Sequence, residues 1–158
     1  MSCEGGPLLA FRGKAAIAGA QLAYAAFGEI SRSARWQVLA TKGARPQRLL
    51  WASTGTKNPE YSDVRYVESL IGPDTITTLP PETLTLFEDH GKVSRTLDGA
   101  YAAEAAHVME ALAAAGIDFH DVNRTLEEED VQTFEVLMRR YTQRLYHCSC
   151  NSGQRHGR

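Results

Sequence analysis

"RLLWASTGTKNP", Arg48 to Pro59, is the stretch on which the reading of this chain turns. An apolar run, "LLWAS", breaks into hydroxyls, one glycine and one cation. A short apolar run of this length is the mark of a strand buried on both faces, as in parallel sheets. In parallel α/β folds ligands bind where strands reach their carboxyl ends, and Ser53 to Asn58 stands at such an end. Gly55 lets backbone approach a ligand closely, and neighbouring N–H groups can face an anion. Ser53, Thr54 and Thr56 supply neutral hydroxyls, and Lys57 a compact positive charge suited to phosphate. These residues therefore read as an oxyanion or sugar-phosphate site. They read also as a tight strand-to-helix turn whose Ser, Thr and Asn cap the next helix, and spacing alone favours the turn slightly. Neither a phosphate-binding loop of the nucleotide type nor a G-x-G-x-x-G fingerprint is present.

Outward from this stretch, the punctuation predicts alternating elements. Residues 12–31 carry Ile17, Ala20, Tyr24 and Phe27 as one helical stripe, and Trp36 and Leu39 suggest a shorter helix ended by Gly43. After Asn58-Pro59, Ser62 to Ile71 reads as a helix bearing Val64, Val67 and Ile71. "GPD" is a turn, and the β-branched "TITTL" reads as a second strand, stopped by Pro80-Pro81. Pro81 fits the first turn of the helix "ETLTLFEDH". Asp98 suits the N-cap of a helix with Tyr101, Ala105, Val108 and Leu112 as its stripe and Gly116 as its close. A last helix carries Val131, Phe134, Met138, Tyr141 and Leu145. Strands separated by helices imply parallel pairing through crossovers. Two short strands would leave two sheet edges open, so the chain reads as part of a larger parallel sheet, with self-association through those edges as a further expectation.

Composition narrows the function classes. The chain has 158 residues, with 17 basic and 19 acidic side chains and a net charge of −2, which gives no support to general nucleic-acid or anionic-membrane binding. No apolar run is long enough to span a bilayer. Cys3, Cys148 and Cys150 are odd in number and terminal, so they form no disulfide framework and point to a reducing cytoplasm. "HCSC", His147 to Cys150, with His156 as the nearest fourth ligand, reads as an incidental tail rather than a zinc site. "LEEED", Leu126 to Asp130, reads as solvated acids near a helix start. Asp89-His90 offers an acid–base pair, but His90 before Gly91 fits better as a cation at a helix C-terminus. His107 reads as packed or surface, and His120 as a loop residue. Trp51 within a strand needs a partner for its indole N–H.

Three stretches together resemble the C-terminal portion of transaldolase, in its actinobacterial-type branch. They are "GKAAIAGAQLAYAAFGEI", "RWQVLATKGARPQRLLWASTGTKNPEYSDVRYVESLIGPDTITTLPPETLTLFEDHG" and "EAAHVMEALAAAGIDFHDV". The likeness runs from about Arg12 to about Leu145, leaving residues 1–11 as a divergent segment and 146–158 as a disordered tail. The resemblance implies a helix-rich α/β fold, a partial (β/α)8 TIM barrel covering roughly the last two βα units plus C-terminal helices. "LLWAS" would be the seventh barrel strand and "TITTL" the eighth. It implies a family that transfers a dihydroxyacetone unit between sugar phosphates in the pentose phosphate pathway, with no metal and no organic cofactor. A lysine amine forms a Schiff base there, and carboxylates move the protons.

The resemblance also implies that Ser53 matches a serine that holds substrate phosphate after the seventh strand. Lys57 is the candidate for its basic partner, where many family members carry arginine in a shorter loop. The strands bearing the Schiff-base lysine and the acid and base carboxylates have no counterpart in this sequence. Lys14 and Lys42 fall on helical stretches and Lys92 in a loop. The expectation is thus a truncated, cytoplasmic chain that holds a sugar phosphate weakly and has no catalytic residue and no activity alone. The alternatives are a decayed remnant or a small helical interaction module with no sugar-phosphate role.

Overall fold

The computed structural model describes residues 10–97 and 99–152, with side chains as far as 143. The elements are α1 (Ala15–Arg32), α2 (Ala34–Thr41), β1 (Leu49–Trp51), α3 (Arg65–Ser69), β2 (Thr75–Thr77), α4 (Pro81–His90), α5 (Gly99–Ala114) and α6 (Phe119–Ser152). The chain divides into two compact units, one up to Ala115 and one from Gly116.

In the first unit β1 and β2 pair in parallel, with Leu49 opposite Thr75, Leu50 opposite Ile76 and Trp51 opposite Thr77. The crossover between them carries α3, as parallel pairing demands. Helix α1 supplies the cover. Ile17, Ala20 and Tyr24, three members of its predicted stripe, pack on a core of Trp51, Leu70 and Leu97. On another side of α1, Ala18 is buried with Ala105, Val108 and Leu112 of α5. The small side chains of both helices permit that close approach.

Local chemistry sets most boundaries. Ser33 leaves the helical region at ψ 148° and its Oγ accepts from Trp36 N at 3.2 Å, so one residue ends α1 and caps α2. Such a cap is worth about 1 kcal/mol. Gly43 closes α2 at φ +88°, the left-handed conformation that glycine adopts without a Cβ clash. Pro81 stands in the first turn of α4 as predicted, where its missing N–H has no helical partner to lose. Gly116, at φ +85°, follows α5. The predicted N-cap Asp98 lies outside the described residues.

Two expectations need correction. The helix predicted over Ser62 to Ile71 forms only at 65–69, because Leu70 departs to φ −126° and Gly72-Pro73 follows. The strand is not buried on both faces. Leu49 and Trp51 face the helices, whereas Leu50 is 53% and Ile76, its partner, 40% exposed. One face is covered by α1, and the other leaves Leu50 and Ile76 about half exposed. Helix α6 continues through 146–152. The reason is composition: from Phe119 no glycine or proline interrupts the chain before Gly153.

In the second unit, Asp118 Oδ1 accepts from His120 N at 2.9 Å and Asp121 N at 3.3 Å, which caps the start of α6. No helix among the described residues is long and apolar enough to cross a membrane.

Candidate functional site

The carboxyl end of β1 is where the chain departs from ordinary backbone. Ser53 takes φ +55°, a left-handed conformation that costs a non-glycine residue on the order of 1–3 kcal/mol. The turn survives because its flanks are fixed. Thr54, 2% exposed, donates its Oγ1 to Thr78 O at 3.0 Å, and Thr78 N donates to Trp51 O at 3.0 Å. The carboxyl ends of the two strands are therefore tied by bonds from both sides. Packing gives a second reason for glycine at position 55, beside close approach to a ligand. A Cβ there would meet Thr83 Oγ1 at 3.2 Å and Pro80 Cγ at 3.3 Å, so the start of α4 packs directly on the loop.

The consequence is a cavity of about 480 Å³, within the range of small-molecule sites. Ser53, Thr54, Gly55, Lys57 and Asn58 line it together. Thr56 does not. Its Oγ1 is buried without a hydrogen-bond partner among the described residues. Of the lining residues Lys57 alone carries a charge, and among the described residues it makes no ion pair. Asn58 Oδ1 accepts from Glu60 N at 2.9 Å, which folds the next turn and keeps the loop short. With the Thr54 hydroxyl given to Thr78, the arrangement offers the Ser53 hydroxyl, one ammonium and an otherwise uncharged lining, the chemistry of a modest anion site.

The far wall was not legible as site. It comes from Ala16 and Ala20 of α1, and from Tyr66 and Leu70 in and after α3. The cavity touches Leu50, Trp51 and Ala52 in succession. Successive strand residues point to opposite faces, so the cavity follows the edge of β1 that β2 leaves unpaired. Trp51 Nε1, for which the sequence demands a partner, is buried and has none among the described residues.

Other candidates fall elsewhere. His90 ends α4, about 13 Å along the helix from Pro81 and so away from the strand ends. Its Nε2 lies 2.9 Å from Asp63 Oδ1 and its Nδ1 3.2 Å from Asp89 Oδ2. The hydrogen bond to Asp63, then that to Asp89, raises the His90 pKa, and the bond from His90 lowers that of Asp63. It is a surface tie between α4 and the segment before α3. His107 is exposed and meets Phe11 edge to face at 6.1 Å between ring centroids. Among the described residues no group of His, Cys, Asp and Glu is placed to hold a metal. The side chains of His147, Cys148 and Cys150 lie outside the described residues.

A parallel strand pair joined through a helix, with a polar loop at the carboxyl end of its first strand, defines an α/β chain built on a βαβ unit. The family profile "Transaldolase/Fructose-6-phosphate aldolase" matches residues 4–145, beginning upstream of Arg12. A transaldolase of Saccharopolyspora erythraea is 52% identical over 134 residues, covering 85% of this chain and 36% of that protein. One from Mycolicibacterium smegmatis is 50% identical over 127 residues, covering 80% of this chain and 34% of its own. One from Thermobifida fusca is 48% identical over 142 residues, covering 87% and 38% respectively. The chain belongs to the transaldolase/fructose-6-phosphate aldolase family, whose fold is of the TIM-barrel type. It spans about a third of the length of these relatives.

Proposed function

We propose that this chain carries the phosphate-holding side of a transaldolase site, with β1 and β2 as the seventh and eighth strands of a partial barrel. The observation that carries the reading is the convergence of Ser53, Thr54, Gly55, Lys57 and Asn58 on one cavity at the carboxyl end of β1. Ser53 donates its hydroxyl to a phosphate oxygen, and Lys57 balances the charge as a point cation, without the bidentate fork of an arginine. The bare face of Leu50 and Ile76 and the open edge of β1 are the surfaces that further barrel strands would cover. Left uncovered, the strand edges also favour self-association.

The chemistry of the whole family does not follow from this part. Covalent aldol transfer needs an amine at the barrel mouth at a tuned pKa. Lys14, Lys42 and Lys92 are exposed and none lines the cavity. The chain by itself binds a sugar phosphate weakly and turns none over, and its setting is the cytoplasm.

Titration of the labelled chain with inorganic phosphate and with a ketose phosphate tests the reading. Backbone amide shifts confined to Ser53–Asn58, weakened at least several-fold by Lys57→Ala, are expected. Absence of shifts would favour a remnant or a helical interaction module. Borohydride trapping with donor substrate should leave the mass unchanged, and an adduct at any lysine would overturn the proposed inactivity.

A further inference from the structure

The cavity at the end of β1 is larger than a phosphate group needs. Ser53 and Lys57 line it, yet its space of about 480 Å³ is of the size that encloses a whole small molecule. It follows the edge of β1 past Ala52, Trp51 and Leu50 and reaches the wall made by α1 and α3. That wall is apolar with one exception. Ala16, Ala20 and Leu70 offer no polar side-chain atom, and Tyr66 brings a hydroxyl. A part-buried tyrosine ordinarily finds a partner for its hydroxyl, as Tyr24 does by donating to Pro73 O at 3.1 Å. Tyr66 is also part-buried, but makes no hydrogen bond among the described residues. The short helix that carries it is held by its other side chains. Val64 and Val67 are 2 and 5% exposed. Arg65 donates from Nη2 to Gly13 O at 3.1 Å, and its guanidinium carbon lies 4.6 Å from the centre of the Tyr61 ring. The free phenol therefore stands on fixed backbone, in the same cavity as the phosphate-holding residues.

We propose that Tyr66 recognises the hydroxylated carbon chain of a sugar phosphate whose phosphate is held by Ser53 and Lys57. This rests on the phosphate-holding reading and adds to it a residue that separates a sugar phosphate from phosphate alone. A cation and a hydroxyl at the loop respond to the phosphate whatever it is esterified to. The phenol both donates and accepts, so it bonds a sugar hydroxyl in either sense. A ligand with no matching group leaves it enclosed without a partner, and that difference is what discriminates. Ala16 and Ala20 serve the same end by size, because the short side chains of α1 leave the room into which a carbon chain extends.

The test is NMR titration of the full labelled chain with inorganic phosphate and, separately, with fructose 6-phosphate. Tyr66→Phe keeps the ring and removes the hydroxyl. It should weaken fructose 6-phosphate roughly three- to tenfold, the range one neutral hydrogen bond supplies, and leave inorganic phosphate unchanged. Ala16→Leu, at an exposed helical position that leucine suits, should likewise weaken fructose 6-phosphate alone. A Tyr66→Phe chain that binds fructose 6-phosphate as the parent does would overturn the assignment. So would an equal loss for both ligands, the mark of a residue that only supports the fold. An Ala16→Leu chain with undiminished affinity for fructose 6-phosphate would overturn the placing of the carbon chain along that wall. Failure of the underlying reading looks different: no amide of Ser53 to Asn58 moves with either ligand in the parent chain, and that result removes the phosphate end and the role of Tyr66 together.

Discussion

Gly55→Ala probes the link between the candidate loop and the fold beneath it. The backbone at Gly55 is outside the left-handed region, so alanine can adopt it. On conformational grounds the change should stabilise the chain by about 0.4–1 kcal/mol, through the unfolded state. Packing opposes this. The new methyl would sit 3.2 Å from Thr83 Oγ1 and 3.3 Å from Pro80 Cγ. Thr83 is 6% exposed and anchored in α4, and Pro80 is held by its own ring, so neither neighbour yields easily. Overpacking of this kind costs about 1–3 kcal/mol. The net expectation is a loss on the order of 1 kcal/mol. The displacement should appear in the loop itself, as moved amide resonances for Ser53 to Asn58. Urea denaturation followed by circular dichroism gives the stability, and phosphate titration gives the binding. Removing the tighter contact in Gly55→Ala/Thr83→Ala should recover part of the loss, as a coupling of about 0.5 kcal/mol or more. A Gly55→Ala chain as stable as the parent, with loop resonances unmoved, would refute the reasoning and return Gly55 to a role in ligand approach.

Leu97 is 1% exposed against Trp51 and Leu70, so Leu97→Ala should cost roughly 2–5 kcal/mol in urea denaturation. A loss below about 1 kcal/mol would mean that this core collapses around the deletion. The His90–Asp63 tie should depend on pH in two directions. His90 has its pKa raised above 6.5, so its contribution is full below that value and fades as pH rises through the raised one. Asp63 is lowered from 3.8, so its contribution is full above that value and fades as pH falls through the depressed one. Asp63→Asn should therefore move the His90 imidazole titration, followed by NMR, back towards 6.5. An unmoved midpoint would show that Asp63 does not hold the ring.

The candidate loop was legible in outline because its signal is compositional. A strand-forming run that ends in Ser, Thr, Gly and Lys can be recognised wherever it sits. Its internal sorting was not legible. Thr54 and Thr56 look alike in sequence, yet Thr54 bonds the carbonyl of Thr78 and lines the cavity, whereas Thr56 buries its Oγ1 and does not. Which hydroxyl faces a ligand depends on the left-handed turn at Ser53, and that turn is maintained by strand ends some 25 residues apart in the chain.

The sequence by itself determined the order of elements, the parallel sense of the strands, the ends set by Gly43, Pro81 and Gly116, and the helical stripes. Each of these depends on groups within a turn or two of each other. Tertiary structure alone decided that α3 would be one short turn, that Gly55 would lie under α4, and that His90 would bind Asp63. It also decided that Leu50 and Ile76 would be left about half exposed. Those outcomes rest on burial and on partners distant in sequence, and local propensity carries no record of which distant surface will arrive.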